Sequence, residues 1–263
     1  MPAQLEQFES AYALIDEAQE GVDDFLSALV EFERERPAQW LREEDPSTNK
    51  ILLKLAFEPP SSKIRRQAYR VVNDCRHALD QAVFAGTTLI SPTGGKKTYF
   101  PFASDPAEFE DLFTKKRNCA DVAPELKAVL RGFEPWWPSP NHIGGNFLLR
   151  TLGKISGPNK HQVPVSTMVQ AYPSKVEFST EHPVEFRLPP EKVEGKNEFV
   201  IAYLPRHGLE KLKVEARSHY MLAGIPELHD KAALAIFCDF IALTSRIVQD
   251  IEATVVSLTS PPA

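Results

Sequence analysis

The sequence predicts an α+β fold, a bundle of about four long helices carrying an inserted N-terminal β-hairpin and, in the C-terminal half, an antiparallel β-meander. Three observations carry this reading. Apolar residues recur at helical spacing over 1–35, 62–86 and 228–257. Two strand-like runs between 38 and 58 flank the turn-rich DPSTN. From 163 to 223 the apolar period switches from helical to alternating.

The first helix is legible in Leu5, Phe8, Tyr12, Ile15, Gln19, Val22, Leu26 and Leu29, which follow alternating steps of three and four. Such a stripe suits either an intramolecular packing helix or the seam of a homodimer through the N-terminal helix. Acidic residues from Glu6 to Asp24 fill its other faces. Trp40 and Ile51 to Phe57 form the hairpin arms, and Pro59-Pro60 stop the second strand.

Residues 62–86 form the next helix, capped by Ser and lined by Ile64, Ala68, Val71, Val72, Cys75, Leu79, Ala82 and Val83. Gly86 then suits the residue just past a helix end. The span 87–141 is broken by SPTGGKK, YFPF and PWWPSP, so it reads as short helices near 106–116 and 122–132 joined by loops. HIGGNFLLRTLGKIS, 142–156, reads as a buried helix in which Arg150 and Lys154 share a face with Ile143 and Phe147. Gly157-Pro158 ends it. PVSTMVQAY, KVEFSTEHPVEFRL, NEFVIAYL and KLKVEARSHYML then alternate as strands. The last helix, 228–257, has a wide apolar arc with an Arg246–Asp250 pair on its flank. With no internal repeat, the chain reads as a single domain over 1–263.

Composition narrows the function classes. The 263 residues are 43% hydrophobic and 25% charged, ordinary globular usage. A net charge of -6 argues against broad capture of nucleic acid or anionic membrane. Cys75, Cys119 and Cys238 stand far apart, with no CxxC pair and no His at ligand spacing, so neither a disulfide framework nor a metal site is expected. Cys75 and Cys238 read as small core residues. The N-terminus lacks a basic region followed by an apolar run, and no run is long enough to span a bilayer; the expected location is cytoplasmic. GGKKT lacks the spacing of a nucleotide-binding phosphate loop, and no cofactor is expected.

Two polar groupings border apolar helical faces. In NDCRHALDQ, Arg76 and Asp80 lie one turn apart and can pair while their stems cover the core. In ISGPNKHQ, Lys160 and His161 follow a helix C-terminus, where the dipole favours cations by about 0.3–1 kcal/mol each. Arg76, Asp80, Lys160 and His161 are therefore the candidate site residues, as members of a buried polar network or as catalytic groups.

The succession of CRHALDQ, PWWP and LLRTLGKISGPNKHQ resembles an uncharacterised family of bacterial proteins that carry an LRxALDH helix followed by an NxDKHR segment. The match covers most of the chain. It falls on Arg76, Ala78, Leu79 and Asp80 in the first motif and on Lys160 and His161 in the second. Gln81, Gly157, Asn159 and Gln162 depart from the family pattern, which removes ionisable groups. The helical layout also resembles HEPN-type ribonucleases, which use an Arg and a His on one helix at the scissile phosphate without metal. That resemblance implies His161 as acid or base, with Arg76 and Lys160 as phosphate stabilisers. Here, however, Arg150 and His161 are too far apart and Pro158 intervenes. PWWP, 135–138, resembles the opening of a chromatin-reader barrel, but a helix follows it; Trp136 and Trp137 read as packing aromatics or as a shelf for a peptide.

Overall fold

The computed structural model describes residues 5–35, 38–91, 95–114, 117–157, 167–180, 183–206, 209–222, 228 and 231–260, with side chains left undescribed over 167–176, 178–180 and 209–219. The chain is mixed helix and strand: α1 (Glu9–Glu35), β1 (Gln39–Asp45), β2 (Lys50–Ala56), α2 (Ser62–Ile90), α3 (Pro106–Leu112), α4 (Pro124–Gly132), α5 (Phe147–Ile155), β3 (Thr167–Thr180), β4 (Glu185–Lys192), β5 (Glu198–Pro205), β6 (Leu209–Leu222) and α6 (Ala233–Thr259). A single 3-10 turn, Glu6–Phe8, leads into α1. Contacts gather into two compact units, one of residues 1–25, 66–164 and 235–263, the other of 26–65 and 165–234.

The first unit is built on helices whose seams are narrow because small residues fill them. On α1 the buried positions are Phe8, Ala11, Ile15, Ala18, Val22 and Phe25, continuing beyond the unit to Leu29 and Phe32. The expected stripe is thus half right. Phe8, Ile15, Val22 and Leu29 face inward, while Gln19 is exposed, Tyr12 half-buried and Leu26 44% exposed. Ala11 and Ala18 take the alternate positions because helices approach closely here: a Cβ on Gly21 would sit 3.0 Å from Val71 on α2. Phe25 meets the Phe237 ring of α6 edge-on at 5.1 Å. Glu252 on α6 ties down the start of the chain, accepting from the Leu5 N–H at 2.7 Å and from the Tyr12 hydroxyl at 2.6 Å. Burial, with Glu252 as its second cause, raises the Tyr12 phenol far above its ordinary value.

Several boundaries differ from expectation. Helix α2 does not stop at Gly86 but runs on to Ile90, and Gly86 is a buried mid-helix residue where a Cβ would lie 3.0 Å from Leu126 and 3.2 Å from both Ile251 and Val255. Glycine is there for close packing, not for a left-handed cap. Helix α5 begins at Phe147 rather than 142, because Gly144 (φ 81°) and Gly145 (φ 123°) are left-handed and Asn146 caps the helix through its side chain to the Leu149 N–H. Ile143 is therefore not on the α5 face; it lies in the loop, 95% exposed. Helix α6 begins at Ala233, and Cys238 on it is exposed, whereas Cys75 is buried as expected. The Arg246–Asp250 pair forms at 3.8 Å on the exposed flank, worth a few tenths of a kcal/mol at most.

The second unit holds the strands, and they are not a meander. The hairpin strands join the later ones in one four-stranded antiparallel sheet of order β1-β2-β5-β4, while β3 and β6 pair separately over Thr167↔Leu222 to Thr180↔Leu209. Strand β5 is buried along most of its length, which suits the central position between β2 and β4. Leu55, Phe199 and Ile201 form one apolar cluster of this unit, and Leu53, Ala202 and Leu204 another. At the bulge between Leu53 and Lys54, the buried Lys54 ammonium pairs with Glu43 and, at 3.7 Å, with Glu198. The β1–β2 turn is fixed by Asp45, which accepts from the Ser47 N–H at 2.9 Å, the Ser47 hydroxyl at 2.6 Å and the Thr48 hydroxyl at 2.7 Å. These bonds, the Ser47 hydroxyl first, lower the Asp45 carboxyl to about 2. A depressed carboxylate stabilises the fold above its unfolded pKa of about 3.9 and loses that contribution as pH falls through the folded value. NMR titration of the Asp45 carboxyl is expected to give a midpoint near 2, and Ser47→Ala to raise it; an unperturbed titration would mean the turn is open in solution.

Candidate functional site

In the first unit, α2 and α5 meet through Arg76. Its Nη1 donates to the Ser156 carbonyl at 3.2 Å and contacts the Ser156 hydroxyl oxygen at 3.3 Å. The reason is local: Ser156 caps the C-terminus of α5, its own N–H and hydroxyl turned back onto the Leu152 carbonyl at 3.0 and 2.6 Å. The outward carbonyl and the helix dipole favour a cation there. Arg76 Nε also lies 3.8 Å from Asp80, with side-chain exposures of 19% and 16%. Asp80 in turn accepts the Phe100 N–H at 2.8 Å, anchoring the loop between α2 and α3. The Arg76 guanidinium lies over the Phe102 ring, 5.1 Å from its centroid, and Phe102 fills the space left by Gly153 on α5, where a Cβ would fall 2.4 Å from the ring.

Arg76 and Asp80 thus join one constellation, and Ser156 and the Phe100 N–H are members that sequence reasoning missed. Lys160 and His161 lie outside the described residues. In the neighbouring loop Cys119 donates its thiol to the Tyr99 carbonyl at 3.1 Å, and burial, reinforced by the Asp80 charge, pushes it up to about 12. Burial does the same to Cys75, also to about 12. Neither thiol supplies a thiolate near neutral pH. Among the described residues no group of three or more His, Cys, Asp or Glu side chains could hold a metal ion, and no helix is long and apolar enough to cross a membrane.

Beside this constellation, the loop 134–146 is tightly held. Glu134 has a left-handed φ of 51°, its carbonyl accepts from the N–H groups of Trp136 (2.7 Å) and Asn146 (2.8 Å), and its carboxylate accepts the Gly145 N–H at 2.8 Å. A non-glycine residue in this region is strained and must be held by such bonds. Trp136 is buried against Phe109, edge-on at 5.5 Å. Trp137 is half-buried, with Phe147 5.7 Å away and the Arg150 and Lys154 charges each 5.7 Å from its ring centroid. A His142 ring nitrogen bonds the Trp137 carbonyl at 2.8 Å. Burial lowers the Arg150 guanidinium from its ordinary value, Glu108 opposing and the Arg76 charge adding to the shift, and Arg150 Nε is buried with no acceptor among the described residues.

An open groove of about 670 Å³ runs past Trp137, lined by Pro106, Ala107 and Pro138 and by the polar Ser104, Asp105, Ser139, Asn141 and His142. No known protein family, curated protein or solved structure matches this chain.

Proposed function

We propose that this chain is a non-enzymatic cytosolic binding or interaction scaffold, held in one packing by a buried polar network. The observation that carries the reading is that Arg76 and Asp80 end on backbone groups of their own fold, the Ser156 carbonyl and the Phe100 N–H. A catalytic cation or carboxylate must face a substrate; these two face the protein. The raised thiols of Cys75 and Cys119 support a reading in which neither acts as a nucleophile. The motif resemblance at Arg76, Ala78, Leu79, Asp80, Lys160 and His161 is the basis on which we group the chain with the uncharacterised bacterial family.

The competing reading is a metal-independent ribonuclease or other phosphodiesterase using His161, Lys160 and Arg76. Incubation of the purified chain with single-stranded RNA, with His161→Ala alongside, separates the two. No cleavage is expected from either; cleavage that vanishes in a stably folded His161→Ala would replace the scaffold by the phosphodiesterase. A homodimer through α1 is a further reading, for which Leu26 and Val30 remain exposed. Light scattering at tens of micromolar decides it, and a monomeric mass eliminates it.

A further inference from the structure

We propose that the groove beside Trp137 binds a neutral saccharide, with a ring face laid on the indole and hydroxyls turned to the polar residues of 139–142. This rests on the binding reading above and gives it a ligand chemistry. At about 670 Å³ the groove falls within the range of about 300–1,000 Å³ that small-molecule sites occupy. It is open to solvent, which suits a short chain of rings better than one enclosed molecule.

Two kinds of surface meet in it. Pro106, Ala107, Trp137 and Pro138 supply apolar contact. Ser139, Asn141 and His142 supply polar groups from a single turn. That turn is closed by the His142 N–H on the Ser139 carbonyl at 3.4 Å and by the Asn141 N–H on the Ser139 hydroxyl oxygen at 3.2 Å. A saccharide ring has the matching pair of surfaces: C–H bonds across a face, and hydroxyls round the edge that each donate and accept.

The hydrogen-bonding capacity left over after folding is of the mixed kind a polyol uses. The exposed Asn141 side chain makes no hydrogen bond among the described residues, so its carbonyl oxygen and both N–H donors are free. Ser139 Oγ accepts from the Asn141 N–H and keeps its own O–H to donate. His142 Nε2 bonds the Trp137 carbonyl at 2.8 Å, and a neutral imidazole that donates there must accept at Nδ1. Asp105 accepts the Glu108 N–H at 2.8 Å through one oxygen and the Ser104 hydroxyl at 3.2 Å through the other. The second oxygen has a lone pair left for a sugar O–H.

Charge and shape exclude the alternatives. Asp105 lines the groove and no Lys or Arg does, so an acidic sugar or a nucleic-acid backbone is repelled. A proline-rich peptide needs a row of aromatic side chains, and one indole does not make a row. The walls are also set before a ligand arrives. The Trp137 N–H bonds the Ser104 carbonyl at 3.3 Å, tying together the two chain segments that form the groove, and Glu134 holds the loop through the Gly145 N–H.

The test is isothermal titration calorimetry on the full chain with five probes: cellotriose, maltotriose, triacetylchitotriose, the anionic trigalacturonate and a polyproline peptide. At least one neutral trisaccharide is expected to bind with Kd below about 1 mM, and trigalacturonate and polyproline at least about 10-fold more weakly. Asn141→Ala removes a side chain with no hydrogen bond among the described residues. It is expected to keep the wild-type melting curve and to weaken that sugar about 10-fold. No binding of any neutral sugar at about 10 mM, equal or tighter binding of trigalacturonate or polyproline, or an unchanged affinity in Asn141→Ala overturns the inference. Failure of the sugars without RNA cleavage removes only the saccharide assignment, whereas RNA cleavage removes the scaffold reading itself.

Discussion

Asp80→Ala is expected to destabilise the chain by about 2–4 kcal/mol, which at about 2–4 °C per kcal/mol for a chain of this size lowers Tm by roughly 5–15 °C. Two losses combine. The Phe100 N–H, on a buried residue, is left without its 2.8 Å acceptor, and the Arg76 guanidinium, only 19% exposed, loses the carboxylate 3.8 Å away. The figure lies below that for a fully buried pair because both side chains still touch solvent. Asp80→Asn separates the two: its amide oxygen can still accept from Phe100 while the charge is gone. It is expected to recover about half of the loss. Paired melting curves followed by circular dichroism check this, and an unchanged Tm in Asp80→Ala would show that the pair does not hold α2 to its neighbours.

This pair was readable in the sequence because two charges one turn apart at the border of an apolar arc leave few other arrangements. Its partners were not, since the acceptors are a backbone carbonyl at Ser156 and a backbone N–H at Phe100, which every residue possesses. The same limit explains the α1 stripe. Ala11 and Ala18 carry too little apolar weight to mark a seam by themselves, and only the close approach of Gly21 to Val71 makes them the buried positions in place of Tyr12 and Gln19. Alternation located β4 and β5 but could not give their neighbours. Pairing β5 with β2 is a choice between distant segments, decided by the clusters Leu55–Phe199–Ile201 and Leu53–Ala202–Leu204, and period carries no information about it. Cys238 failed for a related reason: it sits at the edge of a wide apolar arc, and the arc is broader in sequence than the face that is covered.

Gly145→Ala should be among the most damaging single methyl additions, costing about 3 kcal/mol or more. At φ 123° an L side chain is already strained. The added Cβ would also fall 2.5 Å from the Pro138 nitrogen, 2.7 Å from its Cα and 2.8 Å from the Trp137 carbonyl carbon. All three are backbone atoms, so the clash cannot be relieved by rotating a side chain; the Trp137–Pro138 strand of the loop must move. Gly144→Ala is the control one residue earlier. Its φ of 81° is strained too, but its Cβ would meet the Glu134 carboxylate, nearest at 2.2 Å, which can swing away. It is expected to cost about 1–2 kcal/mol, including the weakened bond to the Gly145 N–H. The local consequence should follow the same order. Moving the Trp137 backbone shifts the indole away from Arg150 and Lys154, so Gly145→Ala should change Trp137 fluorescence at temperatures where the variant is still folded. Gly144→Ala should leave it nearly intact. Equal effects of the two substitutions on Tm and on fluorescence would mean that the loop yields as a whole.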